Sequence, residues 1–94
     1  MKNKPITSDP EAMKELKDKI DLIVIKQLHH LSSNQLTPEA EIVKDLGADS
    51  LDCEFVLFEL EDEFEIETDE ADFEKLRTLG QVYQYVAEKL EESK

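Results

Sequence analysis

The sequence predicts an all-α fold, a small three-to-four-helix bundle with a long loop between the first and second helices. Three observations predict it. Apolar residues recur at helical spacing in three separate stretches, no stretch alternates apolar and polar residues as a half-buried strand would, and only two of the 94 residues are glycine. A chain this short makes one domain around a modest core. Met1 to Ser8 is polar and reads as a flexible N-terminal tail, with the domain proper at 9–92.

Each element has a local reason. Ser8-Asp9-Pro10-Glu11 is a helix start: a capping side chain, proline at the first helical position, then an acid. Met13, Leu16, Ile20, Ile23, Val24, Leu28 and Leu31 follow at helical spacing, which carries the first helix to about Leu31. His29 and His30 fall near its C-terminal end, where partial positive charge is favoured, and read as surface residues. Ser32 to Asp49 reads as a long loop, broken by Ser-Ser-Asn, Thr37-Pro38 and Gly47 and pinned by Leu36, Ile42 and Leu46. Long loops in small domains are usually functional. A second helix runs from about Ser50 to Glu65, and a short helical turn follows around Phe73 to Leu76. Thr78-Leu79-Gly80-Gln81 has capping-box form and opens a last helix with apolar Leu79, Val82, Tyr83, Val86 and Leu90.

Charge narrows the function classes. Lys and Arg number 11 against 24 Asp and Glu, a net charge of −13. Sixteen acids lie between Glu39 and Glu74, where Lys44 is the single base. Such a surface repels nucleic acid and anionic lipid and attracts basic patches on other proteins. A merely solvated acidic face is the alternative, and composition leaves the two open. No run approaches a membrane span and no signal-peptide pattern opens the chain, so no membrane insertion is expected. Cys53 is the only cysteine, which forbids an internal disulfide and fits a reducing cytoplasm; the chain is expected to be a monomer. Two adjacent histidines and one core-facing cysteine make no catalytic constellation and no metal site. The chain reads as a non-enzyme.

The second helix has two apolar faces. At about 100° per residue, Cys53, Val56, Leu57, Leu60 and Phe64 share the core side, while Leu51, Phe55 and Phe58 cluster opposite. Asp52, Glu59 and Glu63 flank the second stripe on one side, Glu54 and Glu61 on the other. An apolar centre with charges at its rim suits a docking surface. The expected docking set is Leu51, Asp52, Glu54, Phe55, Phe58, Glu59, Glu61 and Asp62; the alternative is that the two phenylalanines cover part of the loop.

Asp45-Leu46-Gly47-Ala48-Asp49-Ser50-Leu51-Asp52 resembles the prosthetic-group attachment motif of acyl carrier proteins. Asp-Ser-Leu alone is ordinary helix capping; the octet after a long loop and before an acidic amphipathic helix is far more specific. The similarity extends from about Ile20 to Leu90 and includes Glu74-Lys75-Leu76-Arg77-Thr78-Leu79. The resemblance implies that Ser50 carries 4'-phosphopantetheine, transferred from coenzyme A by a phosphopantetheinyl transferase. It implies that the arm's thiol holds acyl groups as thioesters, for fatty acid or specialised lipid or polyketide synthesis. Partners are then the transferase and acyl-loading and acyl-transferring enzymes with basic patches. It gives Asp49 a contact with the transferase's magnesium beside its capping role, and makes Leu60 and Leu76 candidate linings of an acyl pocket, with ordinary core packing as the equal alternative for each. Cys53 is read as packing, not chemistry.

Two alternatives stand beside the acyl reading: an aminoacyl, D-alanyl or peptidyl carrier, which shares the serine and arm, and an unmodified acidic interaction or cation-binding module. The acid content and the spelling of the octet favour the acyl type. The chain also departs from the common bacterial pattern. Phe55 stands where an acid is usual, Glu54 where an apolar residue is usual, and Glu59 where a small one is. Thr68-Asp69 replaces a common Ile-Pro, and Phe73 a small residue. These departures suggest a specialised carrier, with Phe73 shortening or blocking its pocket.

Overall fold

The computed structural model describes residues 9–92. Helices α1 (Pro10–Gln27), α2 (Ser50–Phe64), α3 (Glu70–Glu74) and α4 (Leu79–Glu92) pack together, with a 3₁₀ turn at Ser33–Gln35 on the way from α1 to α2. The helical bundle expected from the sequence is the fold observed. The expected tail, Met1 to Ser8, lies outside the described residues. No described helix is long and apolar enough to cross a membrane.

Helix α1 starts as its sequence dictates: the Asp9 carboxylate accepts the N–H groups of Glu11 and Ala12 at 3.1 and 3.3 Å, with Pro10 at the first position. It stops at Gln27, short of the expected Leu31. The Leu28 N–H still reaches the Val24 carbonyl, but Leu31 bonds to Leu28 in a tight turn. Both leucines are nevertheless buried. Apolar spacing reports burial, and a turn that dips twice into the core carries the same period as a helix. His29 and His30 are exposed, as expected.

The connection to α2 is folded, not structureless. Leu36 and Leu46 are buried and Ile42 packs against the core, as their spacing suggested; Ala40 and Ala48 are buried too. Its backbone also pairs with the α3–α4 junction. Gly80 donates to the Pro38 carbonyl at 2.9 Å, Leu79 to Ala40 at 3.0 Å, and Ile42 to Arg77 at 2.8 Å. A Cβ at position 80 would meet the Pro38 oxygen at 3.0 Å, so any side chain there would push this close pairing apart by a few tenths of an ångström. A helical turn follows, with the N–H groups of Asp45 and Leu46 both on the Glu41 carbonyl. Gly47, at φ +76°, then reverses the chain and delivers Asp49 and Ser50 to the start of α2.

The core joins α1 (Leu16, Ile20, Ile23, Val24), α2 (Val56, Leu57, Leu60) and α4 (Leu79, Val82, Val86) in one apolar cluster. The Tyr83 hydroxyl donates to Asp21, which also pairs with Lys17 at 2.9 Å; burial first, then this carboxylate, pushes the phenol's pKa far up. Helix α4 opens with the expected capping box: Gln81 N–H donates to Thr78 Oγ1, and Gln81 Oε1 accepts from the Thr78 N–H. Helix α3 begins earlier than the turn expected around Phe73 to Leu76. The Asp69 carboxylate accepts the Ala71 N–H at 2.9 Å and starts the helix inside what reads as a polar stretch. Tight turns from Asp72 to Lys75 and from Phe73 to Leu76 close it.

Candidate functional site

Ser50 is the first residue of α2, and it is exposed. The residue before it, Asp49, is extended at φ −98° and caps the helix: its Oδ1 accepts the Asp52 N–H at 2.8 Å. Asp52 returns the bond, accepting the Asp49 N–H at 3.2 Å. Asp49 is therefore the N-cap, as expected. The N–H groups of Ser50 and Leu51 lie in the first turn, where no intrahelical acceptor exists.

Helix α1 and the turn after it brace this corner. Gln27 Nε2 donates to Asp52 Oδ1 at 3.2 Å, and His30 Nε2 lies 3.3 Å from the Leu46 carbonyl oxygen. The Asp49 backbone bond first, then the Gln27 side chain, holds the Asp52 carboxyl below its ordinary pKa. Nothing in the periodicity singles out Gln27, because a polar residue at the end of a helix is unremarkable in a sequence. Its role is visible only once α1 and α2 are packed.

Beside Ser50 opens a cavity of about 270 Å³. Ile42, Val43, Ala48, Cys53, Leu57, Phe73 and Leu76 supply its apolar wall, and the carboxylate-bearing Asp49, Glu54, Glu70 and Glu74 also border it. The loop, α2 and α3 therefore meet where Ser50 stands. Leu76 lines this space as the sequence suggested; Leu60 is fully buried and belongs to the core. Cys53 is half-buried in the wall. Burial, with Asp52 and Asp49 nearby, pushes its thiol pKa up, so it stays a neutral packing group at pH 7.

The opposite face of α2 is open. Leu51, Phe55 and Phe58 are 56%, 45% and 59% exposed, so the phenylalanines do not serve as a cover for the loop. The acids around them divide. Glu54 and Asp62 are exposed. Glu59 is exposed but lies 3.8 Å from Lys26 of α1. Glu61 is half-buried, its Oε2 accepting both the Thr68 N–H and hydroxyl, at 3.0 and 2.6 Å. Asp52 and Glu61 are thus tied into the fold, while Glu54, Glu59 and Asp62 present their charges outward.

A phosphoryl group fits at Ser50 in one specific manner. The free first-turn amides and the helix dipole favour an anion, by about 0.3–1 kcal/mol at an exposed site. Asp49, Asp52 and Glu54 oppose one. A freely bound phosphate would feel both effects and gain little, whereas an ester bond to Ser50 holds the group regardless.

The family model for the phosphopantetheine attachment site matches residues 18–86. An acyl carrier protein from Thermotoga maritima is 38% identical over 76 residues, covering 81% of this chain and 93% of the relative. The chain belongs to the acyl carrier protein family. A second acyl carrier protein, from Chlorobium phaeovibrioides, is 37% identical over 75 residues, covering 80% of this chain and 95% of the relative. Acyl carrier proteins are carriers and not enzymes, and their prosthetic group is 4'-phosphopantetheine. The absence of a catalytic constellation in the sequence accords with that membership.

Proposed function

We propose that Ser50 is the phosphopantetheine attachment residue and that this carrier holds acyl groups as thioesters for a specialised set of lipid or polyketide enzymes. The observation that carries the reading is the exposed Ser50 hydroxyl at the mouth of an apolar cavity. An apolar cargo tethered there has a dry surface within reach, which favours its burial over exposure to water. The bordering carboxylates would attract a cationic aminoacyl group, but the apolar wall offers only an acyl chain a surface on which to leave water, which supports acyl cargo over aminoacyl.

Attachment replaces the Ser50 hydroxyl proton, taken by a base on the transferase, with the phosphopantetheinyl group of coenzyme A: a Ser50 O–P bond forms as the P–O bond of the pyrophosphate breaks, and adenosine 3',5'-bisphosphate leaves. The chain's own part is to present an unencumbered oxygen. Among the described residues no side chain activates it, so base and metal belong to the transferase, with the second carboxylate oxygen of Asp49 as a contact for that metal. The bound arm supplies a thiol for the thioester. The exposed stripe of Leu51, Phe55 and Phe58, ringed by Glu54, Glu59 and Asp62, is the surface offered to enzymes with basic patches, and the working location is the cytoplasm, as a monomer.

Intact-mass measurement after incubation with coenzyme A and a broad phosphopantetheinyl transferase tests the assignment. One arm is expected on the natural chain and none on Ser50→Ala. An arm on the alanine variant, or none on the natural folded chain, refutes it.

A further inference from the structure

The cavity beside Ser50 has a neighbour. A void of about 10 Å³, no more than one water needs, lies deeper, walled by Val24, Leu28, Val56, Leu79 and Val82 of the core. Ile42, Ala48, Cys53 and Phe73 line both spaces and so form the partition between them. Three of these cannot move far alone. Ile42 is fixed at both its N–H, bonded to Arg77, and its carbonyl, bonded to Ala48. Ala48 has no side-chain freedom, and Cys53 rides on α2.

Phe73 differs. It is the largest member of the partition, it is buried, and it is carried by the five-residue α3. We propose that Phe73 is the specificity-determining residue for cargo length: a chain entering from Ser50 stops at its ring, so this carrier encloses only short acyl chains without a carboxylate. The inference rests on Ser50 bearing the arm. The charge limit comes from the cavity border. Asp49, Glu54, Glu70 and Glu74 carry the same sign as a cargo carboxylate, which would also lose its water on entering an apolar wall. Neutral chains meet neither penalty. Longer neutral chains leave their ends outside, and each methylene left in water forgoes about fourfold in the enclosed population.

The test uses the full chain loaded on Ser50 from butyryl-, octanoyl- and palmitoyl-coenzyme A by a broad transferase. Amide and methyl chemical shifts are then compared at Val43 and Leu76, which line only the outer cavity, and at Val24 and Val82, which line only the inner void. In the natural chain all three cargoes are expected to move the outer pair and leave the inner pair still. In Phe73→Ala, octanoyl and palmitoyl are expected to move the inner pair as well. Hydroxylamine should then cleave the palmitoyl thioester of that variant at least about fourfold more slowly, the gain from one further enclosed methylene. Phe73→Met keeps the core filled with a flexible side chain and gives the same ordering should the alanine variant unfold. Inner-pair shifts with palmitoyl in the natural chain equal to those in the variants overturn the proposal, as does a length dependence indifferent to position 73. Failure to gain any arm sinks the Ser50 assignment and this inference together; a loaded chain without the length limit sinks this inference alone.

Discussion

Asp52 shows how much one side chain can do at this site. The octet places it three residues after its N-cap partner, and the structure gives it three bonds: to the backbone of Asp49, from its own N–H to Asp49, and from Gln27 across the helix interface. A residue expected to face partners is thereby a brace for the corner that presents Ser50. Its folded pKa is depressed, so its contribution to stability is present above the ordinary carboxylate range, near 3.9, and disappears as pH falls through the lower folded value. Gln27→Ala removes one of the causes. Carbon-13 titration of the Asp52 carboxyl should show its pKa moving back toward 3.9 in that variant, and the loss of stability on acidification becoming smaller and ending at a higher pH. An unmoved titration would mean that the Gln27 bond is too weak or too transient to matter in solution.

Helix α2 carries two apolar faces, one packed and one open. Val56, Leu57 and Leu60 hold it to the core while Leu51, Phe55 and Phe58 remain in water. An exposed aromatic pair contributes little to the fold, and its removal should therefore separate stability from recognition. The double change Phe55→Ser and Phe58→Ser is expected to leave thermal unfolding nearly unaltered and to lower the transferase's kcat/KM by about tenfold, roughly 1.4 kcal/mol, the scale of an aromatic at an interface. Steady-state kinetics with the two chains, beside a melting curve for each, decides it; unchanged kinetics would assign recognition to the acids alone. Both faces of α2 were legible from spacing, as were the capping box at Thr78 and the cap at Asp49, because each is written in neighbouring residues. The end of α1 was not: Leu28 and Leu31 keep the helical period while the backbone has already turned. The start of α3 was hidden in an acidic stretch where any of several carboxylates could cap. Phe73 and Leu76 were identifiable as pocket residues by resemblance, whereas Ile42, Val43 and Ala48 became wall residues only through backbone pairing between the loop and the α3–α4 junction, a long-range fact with no local signature.

At the scale of the molecule the dominant quantity is the −13 charge. The domain measures 43 × 27 × 20 Å, so at about 0.01 M salt the screening length, about 30 Å, spans most of it and nearly every acid feels every other. At about 0.15 M the length falls to about 8 Å and only near neighbours interact. Folding gathers these charges, and repulsion therefore falls more heavily on the compact state than on the unfolded chain. Salt also weakens the attractive pairs, Lys17–Asp21, Lys19–Glu63 and Lys26–Glu59, but surface pairs contribute only about 0–1 kcal/mol each, and acids outnumber bases 24 to 11. The repulsive sum should win. The melting temperature is accordingly expected to rise between those two salt concentrations, by about 4–8 °C for each 1 kcal/mol of repulsion removed, and magnesium should produce the same rise at lower concentration because a divalent ion screens more strongly. Calorimetry across a salt series checks this. A flat or falling curve would show that the acids are spaced widely enough on the folded surface to be neutral in their effect on folding, leaving attraction of basic partners as the only work this charge performs.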